Sequence, residues 1–237
     1  MSTFVLIHGA SHGGWCWYKV VPLLEKKGHT VIAPDLPSHG RDKTPLSAVS
    51  LQAYVDSVCQ VLDAQREPVI LVGHSMGGGI ITQVAEYRPA KIKTLVYVTA
   101  LLLKNGEAMF PVFQQDTESF MLPNVEISAD QSVMTFREDA LKEGFYADCT
   151  DEDVALAKLL LVPQALAPGV VPLQTSEANF GRVPRVYIEC RRDRALTPSF
   201  QKRLYTALPC QQVITMDTSH SPFFSAPGEL AAHLMAL

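Results

Sequence analysis

Six short runs along the chain are nearly continuous in apolar residues: TFVLIHG (3–9), TVIAPDL (30–36), VILVGHS (69–75), TLVYVTA (94–100), RVYIECR (185–191) and QVITMDT (212–218). Apolar side chains at successive positions, without polar alternation, suit strands buried on both faces, as in a parallel sheet. Between these runs the period changes to three and four. LQAYVDSVCQVLDAQ (51–65) carries an apolar stripe, and WYKVVPLLEKKG (17–28) closes on a glycine stop. GGGIITQVAEYRP (77–89) reads as a helix ending before Pro89, and TPSFQKRLYTALP (197–209) opens with Thr197 as N-cap and Pro198 at the first helical position. Strand and helix in alternation imply right-handed crossovers and a doubly wound α/β sheet.

The alternation breaks once. From about 101 to 180 no parallel strand is predicted, and the pieces MFPVFQQDTESFML and DEDVALAKLLLVPQAL read as helical. The expected organisation is a core of residues 1–100 and 181–237, with residues 101–180 inserted after the fourth strand as a helical cap over the C-terminal edge of the sheet. No Gly/Ser linker flanks the segment, which argues against a separate second domain.

Composition narrows the class. The 237 residues are 47% hydrophobic and 19% charged, with a net charge of −4, which fits a globular protein able to bury a sizeable core. No basic cluster points to nucleic acid: Arg191, Arg192 and Arg194 surround an aspartate and read as a solvated face. No apolar run reaches the roughly 18 residues of a membrane helix. Five widely spaced cysteines without a C-x-x-C pair suggest free thiols in a reducing compartment, and hence a cytoplasmic protein.

Candidate chemistry begins at Gly73-His74-Ser75-Met76-Gly77. A G-x-S-x-G pentapeptide alone is a weak signal. Here a buried strand runs straight into it and a helix leaves it, so the turn is sharp enough to strain the serine backbone and lift its hydroxyl clear of the sheet. Glycine is required at 73 and 77 because side chains there would collide. The N–H of Met76, at the helix N-terminus, then faces a developing oxyanion. Serine is a weak nucleophile without a base held by a third group. His220, in the loop after the last strand, is the expected base, and His233 lies inside the terminal helix as a surface or packing residue. For the acid, Asp193 follows the strand RVYIEC. Its competitor Asp217 stands three residues before the histidine and reads as structuring its own turn. The arginines beside Asp193 are expected to keep it ionised.

The second oxyanion donor is expected from HGASHGGW (8–15), most simply the N–H of Ala10. This glycine-rich loop lacks both phosphate-binding patterns. His8 and His12, four apart, have no acidic partner and are not read as a metal pair; His8 reads as a turn-stabilising side chain. No metal and no cofactor are expected.

Taken together these residues resemble the α/β-hydrolase superfamily, and within it the plant methylesterase and hydroxynitrile lyase family with its bacterial carboxylesterase relatives. FVLIHGASHGGWCWYKVVPLLEKKGHTVIAPDL, VILVGHSMGG, FYADCTDEDVALAKLLL and RVYIECRRDRALTPSFQ carry the likeness over most of the chain. The resemblance implies an α/β-hydrolase fold with a six-stranded, mainly parallel sheet flanked by helices, plus the helical cap. Lyase members carry a threonine in the first oxyanion loop and a lysine directly after the catalytic histidine. Gly9 and Ser221 stand there in this chain and favour ester hydrolysis.

The expected function is therefore a cofactor-free serine carboxylesterase with Ser75, His220 and Asp193 as triad and the N–H groups of Ala10 and Met76 as oxyanion hole. Hydroxynitrile lyase activity and a ligand-receptor role with vestigial hydrolysis are the alternatives. Phe110, Phe113, Phe120, Met121, Phe145 and Tyr146 are candidates for an apolar substrate pocket, each with packing inside the cap as its alternative. The expected partner is a small-molecule ester, with no nucleic acid and no membrane; homodimer formation is left open.

Overall fold

A computed structural model describes all 237 residues. Strands β1 (Thr3–Ile7), β2 (Thr30–Ile32), β3 (Val69–Ser75), β4 (Ile92–Ala100), β8 (Arg185–Cys190) and β9 (Gln212–Met216) form one sheet in the spatial order β2-β1-β3-β4-β8-β9. Every neighbouring pair is parallel. All six predicted strands are therefore present, and β3, which carries the serine, lies in the interior of the sheet.

The absence of polar alternation has its cause in two apolar layers. Val5, Ile7, Leu71, Leu95 and Tyr97 face one layer with α2 (Leu51–Asp63), α3 (Gly77–Tyr87) and α8 (Pro198–Ala207). Phe4, Leu6, Ile70, Val72 and Val96 face the other, with α1 (Val21–Glu25), α9 (Pro222–Ser225) and α10 (Pro227–Met235). Truncating one such strand residue to alanine costs about 2–5 kcal/mol. Ser50 caps α2 by accepting from Ala53 N–H at 3.1 Å. Thr197 precedes α8 as predicted, but its hydroxyl makes no cap bond and donates instead to Asp116 at 2.7 Å. No helix is long and apolar enough to cross a membrane.

The insertion between β4 and β8 departs from the helical expectation. It holds four short helices, α4 (Met109–Phe113), α5 (Leu141–Phe145), α6 (Asp151–Leu160) and α7 (Ala167–Val170). It also holds a three-stranded antiparallel sheet of β5 (Val125–Ile127), β6 (Val133–Phe136) and β7 (Gln164–Ala165). The reason is local. Between β5 and β6, Asp130 Oδ1 accepts from Ser128 Oγ at 2.6 Å and from Ser132 N–H at 3.1 Å, while Gln131 takes φ +56°. This turn chemistry folds the chain into a hairpin. The strands are too short for their alternation to stand out from a helical period.

Candidate active site

The four residues leading β3, Val69 to Val72, are all buried, so the strand drives its end into the C-terminal edge of the sheet. There Ser75 takes φ +52°. Neither flanking glycine has room for a side chain. A Cβ on Gly73 would stand 2.7 Å from the Gly77 carbonyl oxygen, and one on Gly77 would stand 2.8 Å from that of His8. The strained turn thus needs glycine on both sides, for the reason the sequence suggested.

His220 lies in the loop after β9 and is 1% exposed. Its Nδ1 is 2.7 Å from Oδ2 of Asp193, in the loop after β8. The imidazole nitrogen left for chemistry is Nε2. Nε2 of His74 donates to the His220 carbonyl at 2.8 Å, holding the backbone of that loop. Asp217 is elsewhere, paired with Arg191 at 3.3 Å and with its side chain 64% exposed.

The arginines do not hold Asp193, which corrects the sequence reading. Arg191 and Arg192 turn to Asp217, Arg192 also reaches Asp148, and Arg194 pairs with Glu143. Asp193 Oδ1 instead accepts from the N–H groups of Ala195 at 2.7 Å and Leu196 at 3.0 Å. Oδ2 accepts from Thr99 Oγ1 as well as from His220.

Ala10 and Met76, whose N–H groups are the expected oxyanion donors, line the same cavity as Ser75. No backbone or side-chain acceptor of the chain engages either. The loop holding Ala10 is fixed from several sides. His12 Nδ1–H donates to the Ala10 carbonyl at 2.7 Å, and Tyr146 donates its hydroxyl to His12 Nε2 at 2.7 Å. Burial holds His12 neutral, its pKa pushed down to about 4, which suits one ring nitrogen donating and the other accepting. Ser11, at φ +63°, donates its N–H to Gln164 Oε1 at 3.2 Å and accepts from Val162 N–H at 3.0 Å. The loop holding Ala10 is therefore tied to the inserted segment.

Ser75, His220, Ala10 and Met76 line one cavity, with 13 hydrophobic residues among its 20 and no Lys, Arg, Asp or Glu. Of the pocket candidates, Phe110, Phe113 and Phe145 line it. Phe120, Met121 and Tyr146 do not, and this corrects the sequence reading. Phe120 lies under the Arg194 guanidinium at 4.8 Å, Met121 is fully buried against Gly144, and Tyr146 is fully buried with its hydroxyl on His12. Residues not expected in the pocket also line it, among them Met109, Met134, Phe136, Gln164, Leu166 and His12. Met134, Phe136 and Gln164 belong to strands of the segment expected to be a helical cap. The H-x-x-x-H spacing did mark His12, but as a rejected metal pair. No group of three or more His, Cys, Asp or Glu side chains is arranged to hold a metal ion.

Residues 4–233 match the model of the Alpha/beta hydrolase family. Methylesterase 2 of Arabidopsis thaliana is 35% identical over 251 residues, covering 99% of this chain and 95% of its own length. The putative chloroplastic methylesterase 15 of the same plant is 34% identical over 242 residues, or 96% of this chain; the chain spans only 54% of that longer protein. The crystal structure of a pyrethroid hydrolase from Sphingobium faniae JZ-2 superposes with a TM-score of 0.88 at 29% identity, over 99% of this chain and 96% of its own. The family match, these relatives and the parallel sheet with its serine turn agree, and the chain belongs to the Alpha/beta hydrolase family, among the plant methylesterases and their bacterial pyrethroid hydrolase relatives.

Proposed function

We propose that the protein is a serine carboxylesterase acting on neutral, hydrophobic esters. The observation that carries the reading is His220, held at 2.7 Å by Asp193, in the wall of the cavity that Ser75 also lines. In this reading Ser75 Oγ attacks the ester carbonyl carbon while His220 Nε2 takes its proton, and Asp193 stabilises the imidazolium. The N–H groups of Ala10 and Met76 bind the oxyanion. Collapse of the tetrahedral intermediate breaks the bond to the alkoxy oxygen, which leaves with the proton from His220. Water then attacks the acyl-enzyme, His220 accepting its proton and returning it to Ser75.

A charge-free cavity favours an uncharged ester, because an ionised substrate would be desolvated there without a partner. Methyl esters fit the names of the plant relatives, and bulkier hydrophobic esters fit that of the pyrethroid hydrolase. The test is turnover of a small aryl acetate together with labelling by a serine-directed phosphonate. Wild type should turn over repeatedly and take one adduct. Ser75→Ala should take none and lose on the order of 10⁶-fold in kcat. Retention of more than about a thousandth of the rate by Ser75→Ala would refute the mechanism.

A further inference from the structure

Strand β4 runs in register beside β3 up to a point: Gly73 faces Tyr97, His74 faces Val98, and then Ser75 faces Ala100. Thr99 is the residue left over. It is a β-bulge placed opposite the nucleophile turn, and bulges re-aim side chains. Its backbone takes φ +35°, in the left-handed half of the map, where a β-branched residue is strained. The side chain is fully buried, and its hydroxyl donates to Asp193 Oδ2, the oxygen that also receives Nδ1–H of His220. With Ala195 and Leu196 on Oδ1, each carboxylate oxygen has two donors.

The bulge is held on both sides. The Tyr187 hydroxyl accepts from Ala100 N–H at 3.0 Å and donates to the Ala100 carbonyl at 2.8 Å. Leu101 N–H donates to the Ser75 carbonyl at 3.0 Å. One irregularity in β4 therefore touches both the serine backbone and the acid. A glycine would adopt the same φ without strain but would bring no hydroxyl.

We propose that Thr99 is a positioning residue of the Ser75–His220–Asp193 system: its hydroxyl orients Asp193 Oδ2 toward His220 and draws charge from that oxygen, so that the imidazolium is held less tightly. The inference rests on the triad reading above.

The surroundings allow the effect to be isolated. His220 is faced by His74 from β3, with ring centroids 4.6 Å apart, and by His12 from the loop after β1; burial keeps both neutral. Asp148, which accepts from Ser219 N–H, is paired with Arg192. Asp193 is faced by Asp116 beyond α4, whose carboxyl burial pushes up, and by Tyr187 and Cys190 of β8, which burial keeps neutral.

The experiment is the pH profile of kcat/KM for an aryl acetate in Thr99→Val and Thr99→Ser, with the low-field proton resonance of the His220 ring followed over the same range. Thr99→Val keeps the shape and removes the donor, leaving more negative charge on Oδ2. The acidic midpoint should rise by about half a pH unit and kcat/KM at neutral pH should fall on the order of tenfold. Thr99→Ser should restore the wild-type midpoint. An unmoved midpoint in Thr99→Val, or equal losses in both variants without a shift, would overturn the proposal in favour of plain packing. If Thr99→Val does not fold, Thr99→Gly, which tolerates the positive φ, takes the same measurements. The proton resonance reports without turnover. Wild type that fails to take the phosphonate at Ser75 counts against the triad reading, while the resonance still decides the role of Thr99.

Discussion

Asp193 Oδ2 stands 2.7 Å from Nδ1 of His220, while Asp217, only three residues before the histidine, points out to Arg191 and Arg192. Nearness in sequence loses here to the geometry of the parallel sheet, which brings the loops after β8 and β9 together. Asp193→Asn should therefore lose about 10⁴-fold in kcat near neutral pH, because an amide no longer fixes the histidine tautomer. Asp217→Asn should lose no more than a surface ion pair and keep near-normal turnover. Steady-state kinetics of the two variants decide the acid, and the reverse ranking would transfer the role to Asp217.

Gln164 joins the inserted segment to the loop that holds Ala10. Its Oε1 accepts from Ser11 N–H at 3.2 Å, and its Nε2 donates to the Tyr54 hydroxyl at 2.9 Å. Gln164→Leu strands these buried groups at about 1–3 kcal/mol each and frees the loop that aims the Ala10 N–H. We expect a loss of roughly 10–100-fold in kcat with a smaller change in KM, since the oxyanion is bound more strongly in the transition state than the ester carbonyl is. A variant with lowered Tm but unchanged kcat would show that Gln164 serves stability alone.

The core of the fold was legible because it is written in unbroken apolar runs. A strand such as Val69–Ser75, covered on both faces, has no polar phase to confuse. The serine turn was legible for a steric reason, since Gly73 and Gly77 are the only residues that fit. The inserted segment was not. Gln164–Ala165 is a two-residue strand and Val125–Ile127 a three-residue one, shorter than any period can register. The pocket residues of β6 and β7, Met134, Phe136 and Gln164, were missed with them. Thr99 was invisible for another reason: TLVYVTA reads as a regular strand, and only the register against β3 reveals the bulge. The arginines misled because charge adjacent in sequence points outward here, while the donors to Asp193 are backbone N–H groups and a hydroxyl.

Four buried histidines, His8, His12, His39 and His74, all have pKa values lowered below the ordinary 6.5, chiefly by burial, and that of His12 is about 4. The unfolded chain protonates them from about pH 6.5 downward while the folded one resists. Stability should therefore be complete above pH 6.5 and fall as pH drops toward 4, with His12 alone accounting for about 3 kcal/mol across the window. Urea unfolding at pH 7, 5.5 and 4.5 measures it. His12→Gln should lower stability at pH 7, by loosening the Ala10 carbonyl and the Tyr146 hydroxyl, yet reduce the slope with pH. Stability that is flat from pH 7 to 4.5 would mean the histidines are not held neutral.

The two positions that separate this chain from the lyase pattern are constrained by packing as well as by chemistry. A Cβ on Gly9 would stand 2.9 Å from the Cβ of Ser75 and 3.0 Å from Nδ1 of His74. Ser221 is fully buried and its hydroxyl has no hydrogen-bond partner. A threonine at 9 has no room unless the serine turn moves, and a lysine at 221 would bury an ammonium group where even the serine hydroxyl finds no hydrogen-bond partner, a costly state. The cation that would hold departing cyanide is thus missing and difficult to install. Wild type should hydrolyse an aryl acetate and release no cyanide from mandelonitrile above background. Gly9→Thr should reduce ester turnover by about 100-fold or more by displacing Ser75 from its line of attack. Adding Ser221→Lys should not recover it, and should lower Tm further. The measurement on wild type is decisive: cyanide release at a rate comparable to ester hydrolysis would overturn the esterase reading, whatever the variants do.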